Sequence, residues 1–394
     1  MGDDGMRGAS KSVLVMLSSP LASRMAGVSR FASEKGWHLM FQDRLYAHPF
    51  DWYGDGVVAT IRDDPRTLAF LRRLAGKGVP IVDLTCDVPD FPCSRVMADH
   101  VAAGRLAADH FAERNIRSLV FFSLDWGNVH ERLWRGFSSG GAGVAGVSPS
   151  VSKWCFAEER PRTRWDDWDA VSRWLSEKFA AASRPFGVLT YAQSESVILL
   201  QAALRAGIAV PEALSIVAGS DDPVMLESQP VPISAIDTAT ERGAYEAAAL
   251  LQRLMEGSPP PASPVELPPR GVVARTSTDA TAASDPLVRA AIDLFASGLN
   301  SGASVEGVAR ALGVSRNTLG RRVFAELGRT ASAELHRQRL TLAKRLLADP
   351  ANKVDYVARM AGFSSASHLG SALRADSGLS PARFRAAVTN EGGG

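Results

Sequence analysis

The side chains best placed to do chemistry in this chain are a cluster of arginines near its C-terminal end. Ser315, Arg316, Asn317, Thr318, Arg321 and Arg322 open a helical stretch at 315–327. Ser315 is a good N-cap, and Leu319 with Val323 or Phe324 supplies the buried side, so the polar residues face outward. Just upstream, Val305, Val308, Ala309 and Leu312 share one helical face, and Gly313-Val314 makes a turn. A short helix, a glycine-containing turn and an Arg-rich second helix are what entry into the DNA major groove requires. The first side chains of such a helix meet base edges, and Arg forks onto guanine O6 and N7 or onto phosphates.

The pattern recurs. Residues 354–361 and the turn Gly362-Phe363 lead into a second helix over 364–375, which carries Ser364, Ser365, Ser367, His368 and Arg374. Ser364 is expected to cap that helix first and to donate to phosphate second. For Arg321, Arg322 and Arg374 the bland alternative is a solvated helix face, and the doubling of the motif argues for DNA contact. For His368, packing competes evenly with base readout. Other chemistry is not spelled out: there is no G-x-S-x-G, no phosphate loop and no His/Asp/Cys constellation, so an enzyme is not expected. Acidic pairs such as Asp166-Asp167 and Asp221-Asp222 read as loop caps. Cys86, Cys93 and Cys155 lack metal-ligand spacing and are odd in number, which points to no metal, no cofactor and a reducing cytoplasm.

The elements that must carry these residues fall into two kinds. Residues 12–275 alternate strands and helices. Apolar runs at 12–17, 37–41, 56–61, 79–84, 118–123, 186–190 and 214–218 read as strands, with amphipathic helices at 65–75, 102–114, 169–182, 195–206 and 242–255. Such alternation implies parallel sheets covered by helices on both faces. Gly140–Ser150 reads as a surface loop and the proline-rich 258–269 as an extended segment. A small polar hinge follows, and beyond it strand signals vanish. The predicted division is a sensor body at 12–275, a linker at 276–284 and an all-α domain at 285–388.

Charge follows the same division. From Asp285 onward 13 Arg and 2 Lys face 9 acidic residues, a net of +6, while the remainder holds 29 basic and 33 acidic residues. A basic module on a mildly acidic body suits a polyanionic partner. No stretch of the 394 residues approaches the ~20 apolar residues of a membrane span.

The C-terminal motifs resemble the AraC-type DNA-binding domain. The resemblance is carried by Arg339-Leu340, Ala343, Leu346-Leu347, Gly362-Phe363-Ser364-Ser365, His368-Leu369, Leu373-Arg374, Gly378-Leu-Ser-Pro381 and Phe384-Arg385. Leu369 and Leu373 replace the usual Phe pair, and Gly320 sits inside the first recognition helix. Residues 96–275 resemble a LacI-type, periplasmic-binding-protein-like sensor through Val96–Asp99, Ala103–His110, Gly136-Phe137, Gly187–Thr190, Gly207–Glu212, Gly219–Asp222 and Ser234–Asp237. The combination is similar to AraC-family regulators of the XylR, or xylose-operon, type. It implies an α/β two-lobed periplasmic-binding-protein-like sensor followed by an all-α double helix-turn-helix domain. Double-stranded DNA, a monosaccharide effector, a homodimer and RNA polymerase are the implied partners. Effector closure of the sensor would then reposition the readers. By position at strand ends, Ser18, Asp99, Trp126, Asn128, Arg132 and Asp221 are the implied effector contacts. Tyr191-Ala-Gln stands where the family has Asn-Asp, and Leu133 where it has Arg. The alternative is a constitutive DNA-binding regulator whose sensor no longer binds.

Overall fold

The computed structural model describes residues 10–17, 22–42, 52–141, 149–279, 283, 285–347 and 351–389. Ser18 and residues 280–282 and 284 of the expected linker lie outside them. Packing divides the chain into two units, the first holding nearly all residues up to Thr278 and the second those from Asp279 onward together with Ala112–Ile116.

In the first unit β1 (Ser12–Met16), α1 (Ala22–Lys35), β2 (His38–Gln42), β3 (Gly56–Ala59), α2 (Pro65–Gly76), β4 (Ile81–Asp83) and β5 (Ser94–Ala98) build one lobe. The chain crosses on α3 (His100–Glu113) to a second lobe of β6 (Ser118–Ser123), α4 (Asn128–Ser139), β7 (Ser150–Cys155), α5 (Phe156–Glu159), α6 (Trp168–Ala181), β8 (Phe186–Thr190), α7 (Gln193–Arg205), β9 (Leu214–Ala218), α8 (Pro223–Glu227) and β10 (Ser234–Asp237). It returns to the first lobe on α9 (Thr240–Met255) and β11 (Val265–Leu267), then crosses once more to β12 (Gly271–Val273). Among the described residues each lobe holds a six-stranded sheet, ordered β11-β5-β4-β3-β1-β2 and β12-β10-β9-β8-β6-β7. All pairings are parallel except β10 with β12.

The wholly buried β3, β8 and β9 explain why their sequences are unbroken apolar runs: helices cover both faces. In the second lobe Trp174 packs edge-on against Phe156 at the centre of the core. Helices α3 and α4 touch backbone to backbone. A Cβ on Gly136 would lie 1.9 Å from the Val101 carbonyl oxygen, and one on Gly104 2.1 Å from that of Leu133. Glycine is required there by contact.

Five strands differ from the sequence expectation. β5, β7, β10, β11 and β12 are short or polar, and β11 lies inside the proline-rich segment read as merely extended. Prolines flank β11 without entering it, so Val265–Leu267 pairs at the sheet edge with β5.

The second unit is helical: α10 (Pro286–Ser297), a 3-10 turn (Leu299–Ser301), α11 (Val305–Ala311), α12 (Arg316–Leu327), α13 (Ala331–Leu347), α14 (Val354–Met360), α15 (Ala366–Ser377) and α16 (Pro381–Thr389). Helix α13 serves two cores. Its Leu335 joins Phe295, Leu319, Val323 and Leu327, while Leu340, Ala343 and Leu347 join Val357, Phe363, Leu369 and Leu373. Two helix-turn-helix units thus share one rigid spine. Gly362, at φ +76°, brings the second turn within reach of the first unit, where a Cβ would meet the Leu299 carbonyl oxygen at 2.5 Å.

Candidate effector cleft and DNA-reading face

The C-terminal ends of strands from both sheets meet the crossing segments at a cavity of about 50 Å³, where open α/β sheets hold ligands. Arg24, Thr85, His100, Tyr191, Ser220 and Thr240 are among its walls. Arg24, in the first turn of α1, is half-buried and makes no hydrogen bond or ion pair with any described residue. Burial pushes its guanidinium below the usual value. His100 opens α3 with a buried Nδ1 that has no partner. Burial, then the nearby charges of Arg132 and Arg24, push this imidazole down to about 4, so it is neutral at neutral pH. Tyr191 follows β8 directly, its ring 4.3 Å from His130 and 6.1 Å from His100. Burial raises its phenol to about 12. The wall is therefore mostly uncharged, with aliphatic and hydroxyl side chains beside the two rings and one guanidinium that no described residue bonds.

The residues expected from sequence are distributed around this cavity. The Asp99 carboxylate accepts from the Ala102 N–H at 2.9 Å and starts α3. Asn128 Nδ2 donates to the Cys86 carbonyl at 2.6 Å, and Arg132 Nη2 pairs with Glu266 at 2.8 Å. Both bonds run from α4 in the second lobe to the first lobe, so these two side chains bridge the cleft. Trp126 stacks on His130 at 5.9 Å, with the Lys153 ammonium 4.1 Å from its ring centre, and is not among the cavity walls. Asp221 is engaged by Arg275 through both oxygens, at 2.9 and 3.1 Å. Arg24 and His100 went unmarked in the sequence, and Tyr191 was noted only as a departure from the family's Asn-Asp. The places of His100, two residues beyond β5, and of Tyr191, one beyond β8, were the available signal; Arg24 had none.

In the second unit Ser315 Oγ accepts from the Thr318 N–H at 3.0 Å, and Ser365 Oγ from the His368 N–H at 3.1 Å. The cap of α15 is therefore Ser365 rather than Ser364. The Ser364 hydroxyl lies 3.0 Å from His368 Nδ1 instead. Val323 is buried, and Phe324 is 57% exposed. Asn317 and Ser367 are exposed on the same faces as Arg321 and Arg374. Arg321 and Arg374 are exposed, and their side chains make no hydrogen bond or ion pair with a described residue. Arg316 pairs with Glu306 at 2.8 Å, and Arg322 grips Asp285, the N-cap of α10, with two bonds of 2.6 Å.

Compared with known proteins, residues 108–278 match the family described as periplasmic binding protein-like domain, and residues 308–387 the family described as helix-turn-helix domain. The xylose operon regulatory protein of Escherichia coli (strain K12) is 25% identical over 373 residues, covering 90% of each chain. That of Haemophilus influenzae (strain ATCC 51907 / DSM 11121 / KW20 / Rd) is 24% identical over 364 residues, covering 90% of this chain and 91% of its own. The chain is homologous to the xylose operon regulators. Among solved structures, a xylose-binding transcription activator, xylR, shares the fold over 97% of this chain and 99% of that one, with a TM-score of 0.60 and 22% identity. The transcriptional regulator CelR in complex with cellobiose shares it over 68% of this chain and 84% of that one, with a TM-score of 0.53 and 22% identity. As in the xylR structure, an α/β body is followed by a helical domain.

Proposed function

We propose that the protein is a cytoplasmic, homodimeric transcription regulator that binds duplex DNA through residues 285–388, under control of a sugar held between the lobes of residues 12–275. The link begins at Asp279 rather than at residue 276, because Ser277 and Thr278 are fully buried in the sensor, where Ser277 bonds Ser234 and the Ile216 carbonyl. The observation that carries the reading is the pair of Ser-capped helices α12 and α15 on one spine, each presenting an outward arginine with no protein partner. Homology across both parts, to regulators named for xylose, supports a sugar as effector. The action proposed is binding, with the His100 imidazole and the Arg24 guanidinium at the cavity wall.

A thermal-shift screen of the full-length chain tests this, using monosaccharides together with their acids and phosphates. A ligand that binds only the folded state at 100 times its Kd adds about 2.7 kcal/mol. At least one compound is expected to raise the midpoint and to change affinity for DNA. A flat response across the panel would leave a DNA-binding regulator with a silent sensor.

A further inference from the structure

Granting that the cleft takes an effector, we infer that this effector is an anion, a sugar acid or sugar phosphate whose negative group pairs with Arg24. Around the cavity the other cations are matched. Arg62 faces Asp87 at 3.9 Å, Arg95 faces Asp83 at 3.6 Å, and Arg132 faces Glu266 at 2.8 Å. Asp83 is further held by the Ile61 and Thr85 N–H groups and the Thr85 hydroxyl, and Asp99 by the N–H of Ala102. Among the described residues, Arg24 is the arginine of this group that no carboxylate bonds; Asp83 and Asp87 act on it only from a distance, and no carboxylate is among the described residues that line the cavity.

Asp83 and Asp87 act on Arg24 without bonding it, burial still outweighs them, and a neutral sugar adds no charge to offset what burial costs the guanidinium. A carboxylate or phosphate restores the lost solvation with charge-assisted, two-pronged hydrogen bonds. Two further features favour negative charge. Helix α9 opens onto the cavity through Thr240 and Gly243, and the alanine in its capping place offers no side-chain acceptor to its first-turn N–H groups. His100 is neutral and its buried Nδ1 is unpartnered, so it can donate to an acceptor oxygen without adding a second buried charge.

The test compares ligands of one skeleton by calorimetry on the full-length chain: D-glucose against D-glucuronate and D-glucose 6-phosphate, and D-xylose against D-xylonate. One anion is expected to bind at least about tenfold more tightly than its neutral parent, the scale of a single charge-assisted contact. The carboxylate and phosphate arms separate the two sources of charge. Arg24→Gln should remove that preference, Arg24→Lys should retain part of it, and both should keep the ligand-free melting midpoint, since Arg24 holds nothing else in place. A neutral sugar binding as tightly as its acid or phosphate, or an anion preference that survives Arg24→Gln, overturns the inference while the sensor reading stands. No binding by any compound overturns both.

Discussion

Arg321 and Arg322 are adjacent in α12 and both reach solvent, yet their surroundings assign them different work. Arg321 has no protein partner, whereas both Arg322 donors are taken by Asp285, which itself caps α10. Arg321→Ala is therefore expected to weaken DNA binding by about 1–3 kcal/mol with an unchanged melting midpoint. Arg322→Ala should instead lower stability by up to about 1 kcal/mol, the range for an exposed pair. Anisotropy with duplex DNA and a melting curve separate the two. Equal losses of stability would make both residues structural. Glu334 poses the opposite case: it is fully buried in α13, and burial alone would raise its carboxyl. Arg337, Arg329 and Gln338 overcome that and hold it at about 2. Because the folded value lies below the unfolded one, this contribution is present above about pH 4.5 and is lost as pH falls toward 2. Glu334→Ala leaves two arginines facing an empty site and is expected to cost about 3–5 kcal/mol in urea unfolding at neutral pH. Much of the acid sensitivity below pH 4.5 should vanish with it.

At the scale of elements, helices α3 and α4 link the two candidate halves of the cleft. Helix α3 begins at His100, and α4 carries Asn128 and Arg132, whose bonds to Cys86 and Glu266 join the lobes. Their spacing depends on Gly136 lying against the Val101 carbonyl. Gly136→Ala must push the helices apart, at about 1–3 kcal/mol of stability, and should weaken effector binding more than an equally destabilising change in α6. If effector affinity is untouched, the α3–α4 contact does not position the cleft. Legibility in the sequence followed the same boundary between local and distant. The Ser315 cap and the outward faces of α12 and α15 are local patterns, and the candidate DNA-reading residues lie on them, but the cap of α15 falls on Ser365, one residue beyond the expected Ser364. Strands β8 and β9, buried on both faces, were readable as apolar runs. β10, bounded by Ser234 and Asp237, and the short β11 were not. The cavity walls come from positions 24, 100, 191 and 240, four segments that only the crossings between the lobes bring together. No periodicity marks such a set, and Asp221, which looked well placed at a strand end, is instead held by Arg275.

For the whole molecule, regulation requires that effector and DNA each bind unequally to two arrangements of the chain, since a ligand with equal affinity for both shifts nothing. The sensor supplies bonds that can be made or broken on closure, between Arg132 and Glu266 and between Asn128 and Cys86. The reader supplies two helices fixed to α13, so a duplex must present two sites at a set separation. The most direct measurement is selection by the full-length chain from a random duplex library, repeated across salt concentrations and with the Arg321→Ala/Arg374→Ala variant. Two conserved blocks about 10 bp apart should emerge, as successive major-groove entries on one face require. Affinity for them should fall steeply with salt, and the double variant should lose them. Recovered DNA without a common sequence, or the same blocks chosen by the double variant, would contradict the assignment of α12 and α15 as the readers.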